Sequence, residues 1–245
     1  MGSIMPVDIL LTVVLTSVIQ SMFGVGVLLF GTPLLLLAGY DFINALIILL
    51  PISVAINCFQ IIKHYQHIDV VFYKKVLTYT IPFVVFFLFL VTSTKINISF
   101  LVGAFLVFVA LKSFSPNIAR YLDLLAKYER TYLSAMGIIH GLTNLGGSLL
   151  TAIVHEKGYP KDVTRVTIAI CYATFAVFQM FTLIFLVGSF DFSYFENIIF
   201  LKIGIIMFLL TEEIVYVNID EAKYIKIFAL FLFVSGLILV MKSFN

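Results

Sequence analysis

Four groups of polar side chains stand inside long apolar stretches of this sequence, and their types and spacing suit a site for a small polar solute. In the first, Ser17, Ser21, Gly24, Leu28 and Gly31 or Thr32 fall on one helical face with Gln20 beside them. In the second, His140, Asn144, Ser148 and Thr151 do likewise, flanked by Thr143. Asn57 and Gln60 share a face further along, and Tyr172 and Gln179 stand seven residues apart. Burying an amide or imidazole in hydrocarbon costs several kcal/mol unless the group is paired or faces water, so these side chains must point inward. A lone Gln or Asn of this kind is equally accounted for by hydrogen bonding between helices.

His140 is the histidine that falls well inside an apolar stretch, where it can exchange a proton or meet an anion. His64 and His67, in HYQH beside Asp69, have a spacing that suits a metal, but they neighbour lysines and read as a solvated face; no metal or other cofactor is expected. His155, Glu156 and Lys157, followed by Lys161, Asp162 and Arg165, form either a charged mouth or the membrane interface. Nothing supports soluble-type catalysis: there is no nucleotide-binding glycine motif and no Ser, His and Asp constellation, and Glu212 and Glu213 sit at a helix end.

The elements that must position these groups are membrane helices. Of 245 residues, 62% are hydrophobic and 11% charged, and the mean hydropathy is +1.15. A soluble domain carries about 25% charged residues, so the chain is an integral membrane protein. Its net charge of +2 and lack of a basic run exclude nucleic acid as a partner. Cys58 and Cys171 both lie in apolar stretches and form no disulfide framework. The apolar run from Val7 has no Lys or Arg before it and no small-residue cleavage pattern after it, so it reads as a first span and not as a signal peptide.

Apolar stretches near 7–38, 42–62, 70–91, 97–114, 131–154, 163–188, 195–215 and 222–242 predict an all-α polytopic fold of about eight transmembrane helices. The first and fifth are too long for simple spans and carry Gly and polar residues in their middles, which predicts broken helices. Lysines between Lys63 and Lys75, together with Lys112, Arg120, Lys127 and Arg130, place those two loops in the cytoplasm. Both termini are then cytoplasmic, and Lys157, Lys161 and Arg165 fall on the other side. The stretch YLDLLAKYERTYL reads as an interfacial helix joining two halves.

Sliding the chain on itself by about 120 residues sets Ser17 against Gly137, Gln20 against His140, Ser21 against Gly141 and Gly26 against Gly146. After a one-residue slip, Gly39 meets Gly158 and Gln60 meets Gln179. The organisation expected is a four-helix repeat over 1–115, a cytoplasmic connector over 116–130 and a second repeat over 131–245. Transporters built from repeats place a substrate site at the midplane, lined by interrupted helices.

The two glycine-rich segments, FGVGVLLFGTPLLLLAG with Phe23, Gly24, Gly26, Pro33 and the leucine run to Gly39, and GLTNLGGSLLTAIVHEKG with Gly141, Asn144, Gly146 and Gly147, resemble the paired motifs of the sulfite exporter TauE/SafE family. The resemblance covers essentially the whole chain. It implies transport of a small anion such as sulfite, thiosulfate or a sulfoacetate-like organosulfonate, coupled to a proton or sodium gradient, in the inner membrane of a bacterial cell. Glycines at helix breaks agree with this, since they expose N–H groups and positive helix ends to an oxyanion.

On this reading the substrate-binding residues are Gln20, Ser21, Gly24, Gly26, Asn57, Gln60, His140, Asn144, Gly146, Gly147, Ser148 and Gln179, with His140 or Arg165 supplying charge or a proton. The partners are the anion, the coupling ion and the lipid bilayer, and assembly as a homo-oligomer is compatible with the sequence. Two other readings stand beside it. One is an integral membrane enzyme or assembly factor of sulfur or lipid metabolism, for which His140, Cys58 and Cys171 are the reactive candidates; the other is a passive anion channel.

Overall fold

In lipid every backbone N–H and C=O must be satisfied within the protein, which for continuous Leu- and Ile-rich runs leaves the helix. The computed structural model, which describes residues 6–94, 96–114, 127–190, 194–215 and 221–244, is helical throughout its ordered elements and has no strand among the described residues. The helices are α1 Val7–Phe23, α2 Val27–Ala38, α3 Phe42–His64, α4 Val70–Tyr79, α5 Ile81–Ser93, α6 Ile98–Phe114, α7 Glu129–Thr143, α8 Gly147–Glu156, α9 Lys161–Phe181, α10 Tyr194–Val215 and α11 Glu221–Lys242. A 3-10 turn, Tyr65–His67, extends α3, and a π turn, Thr182–Val187, extends α9. Among the described residues, three continuous stretches are long and apolar enough to cross a membrane: Phe42–His67, Val70–Ser93 and Lys161–Val187. Most of the expected connector, residues 116–126, lies outside the described residues.

Both breaks fall where glycine or asparagine permits them. α1 ends because Gly24 turns left-handed, at φ +74°, and its N–H closes on the carbonyl of Gln20. α7 ends the same way on Asn144, at φ +63°, its N–H closing on His140; asparagine is among the few side-chain-bearing residues that tolerate this conformation. Two residues on, a Cβ on Gly26 would stand 2.5 Å from the backbone nitrogen of Gln20, and one on Gly146 would stand 2.5 Å from the Cβ of His140. Two residues matched in the repeat therefore make the same close approach.

The broken segments do not carry on across the fold. α1 is about 26 Å long and α2 about 18 Å at helical rise, and the chain after α2 returns to where α1 began: the Tyr40 hydroxyl donates to Asp8 at 3.1 Å. α7 and α8 return likewise, for Glu129 at the start of α7 is bound by Lys157 just past α8, at 3.0 Å, and by Lys75 midway along α4. Each segment is a helical hairpin whose ends share one face.

This corrects the expected topology. Lys157 lies with Lys75 and not opposite it, and Lys63 reaches Glu212 at 3.8 Å near the end of α10. One face thus gathers Lys63, Lys74, Lys75, Lys127, Arg130, Lys157 and Lys161. The start of α1 and the end of α11 lie at the opposite face, where Lys242 donates to the Leu37 carbonyl at 3.0 Å and Asn97 to that of Ser243 at 3.1 Å. Hydropathy counts a deep hairpin as one crossing, and that difference in parity puts the start of α1 and the end of α11 on the face opposite the lysine cluster instead of on the same one.

Packing pairs helices of the first half of the chain with helices of the second: α1 lies against α10, α7 against α5, α3 against α9 and α6 against α11. At the basic face the second hairpin is tied down by Glu129 and by Asp69, which caps α4 by accepting from the Phe72 N–H at 3.0 Å and also accepts from the Tyr159 hydroxyl. Burial alone would raise both carboxyls, but these hydrogen bonds and the lysines outweigh it and hold Asp69 and Glu129 below their ordinary range. Tyr159, part-buried and beside Asp69, is pushed up to about 12.

Carboxylates depressed in the folded state stabilise it above their unfolded pKa, and that contribution is lost as pH falls through the folded value. Melting followed by circular dichroism in detergent should therefore be flat from about pH 7 to pH 5 and drop below about pH 4. The drop should be shallower in Asp69→Asn/Glu129→Gln; an equally steep drop there would assign it to other groups.

Candidate functional site

The tip of the first hairpin carries the charge. Arg165, one turn into α9, is 6% exposed and Glu212, in the last turns of α10, 8% exposed; among the described residues these are the buried members of the Asp, Glu, Lys and Arg set. Arg165 Nη2 lies 2.9 Å from Glu212 Oε1 and donates to the Ser21 carbonyl at 3.3 Å. The Arg165 Cγ lies 3.3 Å from where a Cβ on Gly24 would be, so glycine lets the arginine stem pass over the turn. Thr211 donates to the Ser21 hydroxyl at 2.8 Å.

Gln60 on α3 closes the same tip. It is 1% exposed, its Nε2 stands 4.0 Å from that Gly24 position, and neither atom of its amide has a hydrogen-bond partner. One turn back along α3, Asn57 accepts from Gln20 at 3.0 Å and donates to Ser53 at 3.1 Å. The Gln20 side-chain oxygen in turn accepts from the Val27 N–H at 2.9 Å, which satisfies the start of α2.

The second tip is built from neutral groups. His140 Nε2 and Gln179 Oε1 are 3.2 Å apart, Gln179 donates to Asn144 at 3.1 Å, and Asn144 donates to Thr32 of the first hairpin at 2.8 Å. Since Gln179 spends its amide protons on Asn144, its oxygen accepts from His140 Nε2–H, and His140 Nδ1 is left as a bare acceptor without a partner. The His140 ring packs on Phe175 with centroids 4.7 Å apart. No side chain caps α8. Instead the Tyr172 hydroxyl, 2% exposed and unpartnered, presses on Gly147 at the start of that helix.

The expected residues thus fall into two clusters. Gln20, Ser21, Gly24, Asn57, Gln60 and Arg165 meet at one tip, and His140, Asn144, Gly146, Gly147 and Gln179 at the other. Ser148 donates to the Leu145 carbonyl at 3.1 Å, and Gly26 serves the first turn through its close approach to Gln20. Arg165 and Gln179 are fourteen residues apart on α9, or about 21 Å along its axis, so the breaks do not form one cradle. Thr32 and Asn144 join them. Sequence reasoning did not select Thr211, Ser53 or Glu212. A carboxylate in the final turns of an apolar helix was the visible signal for Glu212, but its partner lies on another helix.

A family model described as Sulfite exporter TauE/SafE matches residues 9–239, nearly the whole chain. The chain belongs to that family. No curated protein and no solved structure matches it. Membership fixes the coarse function: this TauE/SafE protein is an integral membrane protein of an anion-transporter family.

Proposed function

We propose that the protein is a secondary transporter that carries a small sulfur oxyanion or organosulfonate, such as sulfite, thiosulfate or a sulfoacetate-like anion, by alternating access coupled to an ion gradient. The observation that carries this reading is the first tip, where a buried guanidinium and a buried, wholly unpartnered amide converge on a glycine turn. Leaving a buried donor unmade costs about 1–3 kcal/mol, and Gln60 leaves both of its polar atoms so. An anion with several oxygens meets both Arg165 and the Gln60 amide protons.

Two halves, 1–115 and 131–245, serve as the moving parts. Their exchanged packing and matched breaks support an inverted repeat, with one hairpin entering from each face and the tips forming the two gates. The face rich in Lys and Arg is cytoplasmic by the positive-inside rule, in the inner membrane of a bacterial cell. The polar line from Arg165 and Gln60, through Gln20, Asn57, Thr32 and Asn144, to Gln179 and His140 is the route between the gates. His140 supplies the coupling proton: its bare Nδ1 repels an anion when neutral and attracts it once protonated.

The test is flux of labelled sulfite, thiosulfate and sulfoacetate into proteoliposomes. Saturable uptake of at least one of them, accelerated by an imposed pH gradient in the native protein and insensitive to it in His140→Gln, is the expected result. Flux that ignores every ion gradient in the native protein would mean a passive channel, and no flux of any of the three would overturn the substrate class.

A further inference from the structure

Any anion that enters this protein seeking a buried positive charge meets a site already filled from within. Among the described residues Arg165 is the buried cation, and its guanidinium is held at 2.9 Å by Glu212. The same carboxylate oxygen stands 3.8 Å from the ammonium of Lys63, whose side chain is 47% exposed at the basic face. Glu212 therefore has two cationic partners at different depths, one at the hairpin tip and one at the surface. The second tip offers no such pair; its polar groups are an imidazole, amides and hydroxyls.

We propose that Glu212 is an internal stand-in for the substrate: it holds Arg165 while the site is empty, and an arriving sulfur oxyanion displaces it from Arg165 toward Lys63. Two observations beyond the ion pair point to this exchange. Gln60, 99% out of contact with solvent and without any partner, is aimed at the same glycine turn that Arg165 crosses, so hydrogen-bonding capacity for an incoming oxyanion stands idle beside the pair. Arg165 also binds the Ser21 carbonyl, and Ser21 is bound by Thr211, the residue next to Glu212. Moving the carboxylate thus removes one of the ties between α10 and the tip of the first hairpin, which links occupancy of the site to the contact between the two moving parts. An exchange of like charges avoids leaving either a lone buried cation or two buried anions at one cation, each of which is costly in a medium of low dielectric.

The inference rests on the proposed function, and binding measurements on the purified full chain separate the two. Titration of the native protein with sulfite, thiosulfate and sulfoacetate identifies the anion that binds; Glu212→Gln, which retains shape but not charge, should bind it about tenfold or more tightly while transporting it more slowly. Lys63→Ala should weaken binding several-fold in the native background and by less than about twofold when Glu212 is already Gln, because Lys63 acts through the displaced carboxylate. Should Glu212→Gln fail to yield folded protein, Glu212→Asp and Lys63→Ala carry the test: the shorter carboxylate should tighten binding and the half-exposed lysine's loss should weaken it. Native binding with no tightening in the Glu212 variants, or an undiminished Lys63→Ala effect in the Glu212→Gln background, overturns the exchange and leaves the transporter reading standing. If the native protein binds none of the three anions, both fall together.

Discussion

Arg165→Met combined with Glu212→Leu should abolish anion transport while leaving the protein folded. The two residues form a buried pair at 2.9 Å, with side chains 7% and 9% exposed. Removing one member of such a pair strands the other charge and costs about 3–5 kcal/mol, whereas replacing both by apolar residues of similar size is about neutral or stabilising. The single variant Arg165→Met should accordingly melt well below the native protein, and the double variant should not. Transport should be lost in both. A hydrogen bond to a charged group contributes about 1.5–3 kcal/mol, so losing the guanidinium alone weakens substrate binding by roughly 10- to 150-fold. Flux of labelled sulfite, thiosulfate or sulfoacetate within threefold of native in the stable double variant would remove Arg165 from the site.

The same residues show what a sequence reader can and cannot reach here. Composition and the Leu- and Ile-rich runs determine the helices, and the glycines of the two middles, Gly24 and Gly146, mark the breaks to within two residues, although the residue that turns left-handed at the second is Asn144. The register of Gln20 with His140 was legible because a left-handed turn inside an apolar run is a local property: each lies four residues before its turn, and each turn N–H closes on it. The stripe of His140, Asn144, Ser148 and Thr151 was misleading. It has helical spacing, but the helix ends at Asn144, so Ser148 and Thr151 belong to α8 and bond back to the Leu145 and Gly147 carbonyls at 3.1 and 2.7 Å.

Return of the hairpins was not legible, since window hydropathy is the same for a chain that crosses and one that turns back. Lys157 therefore fell on the wrong face until its bond to Glu129 was seen. The pairing of Arg165 with Glu212 was hidden for another reason. A charge near the end of an apolar helix ordinarily reads as the membrane interface, and only the tertiary arrangement brings these two under the Gly24 turn.

The two hairpin tips differ in how firmly they are built, and alanine at a glycine in each should show it. At Gly26 an added Cβ would meet backbone, 2.5 Å from the Gln20 nitrogen and 2.6 Å from the Thr16 carbonyl. At Gly147 it would meet a side chain, 1.0 Å from the Tyr172 hydroxyl and 2.0 Å from its Cζ. Overpacking of this kind costs about 1–3 kcal/mol or more, which lowers the melting temperature of a chain this size by on the order of 10 °C. Gly26→Ala should suffer that loss, and Gln20→Ala should not repair it, because the obstacle is main chain. Gly147→Ala should suffer it too, but Gly147→Ala/Tyr172→Leu should recover to within a few degrees of Tyr172→Leu alone. Recovery would establish that Tyr172 is a removable seal over the start of α8, where the helix's positive end has no side-chain cap. If instead the double variant melts as low as Gly147→Ala, the second tip is as rigid as the first, and opening there must come from movement of the whole hairpin.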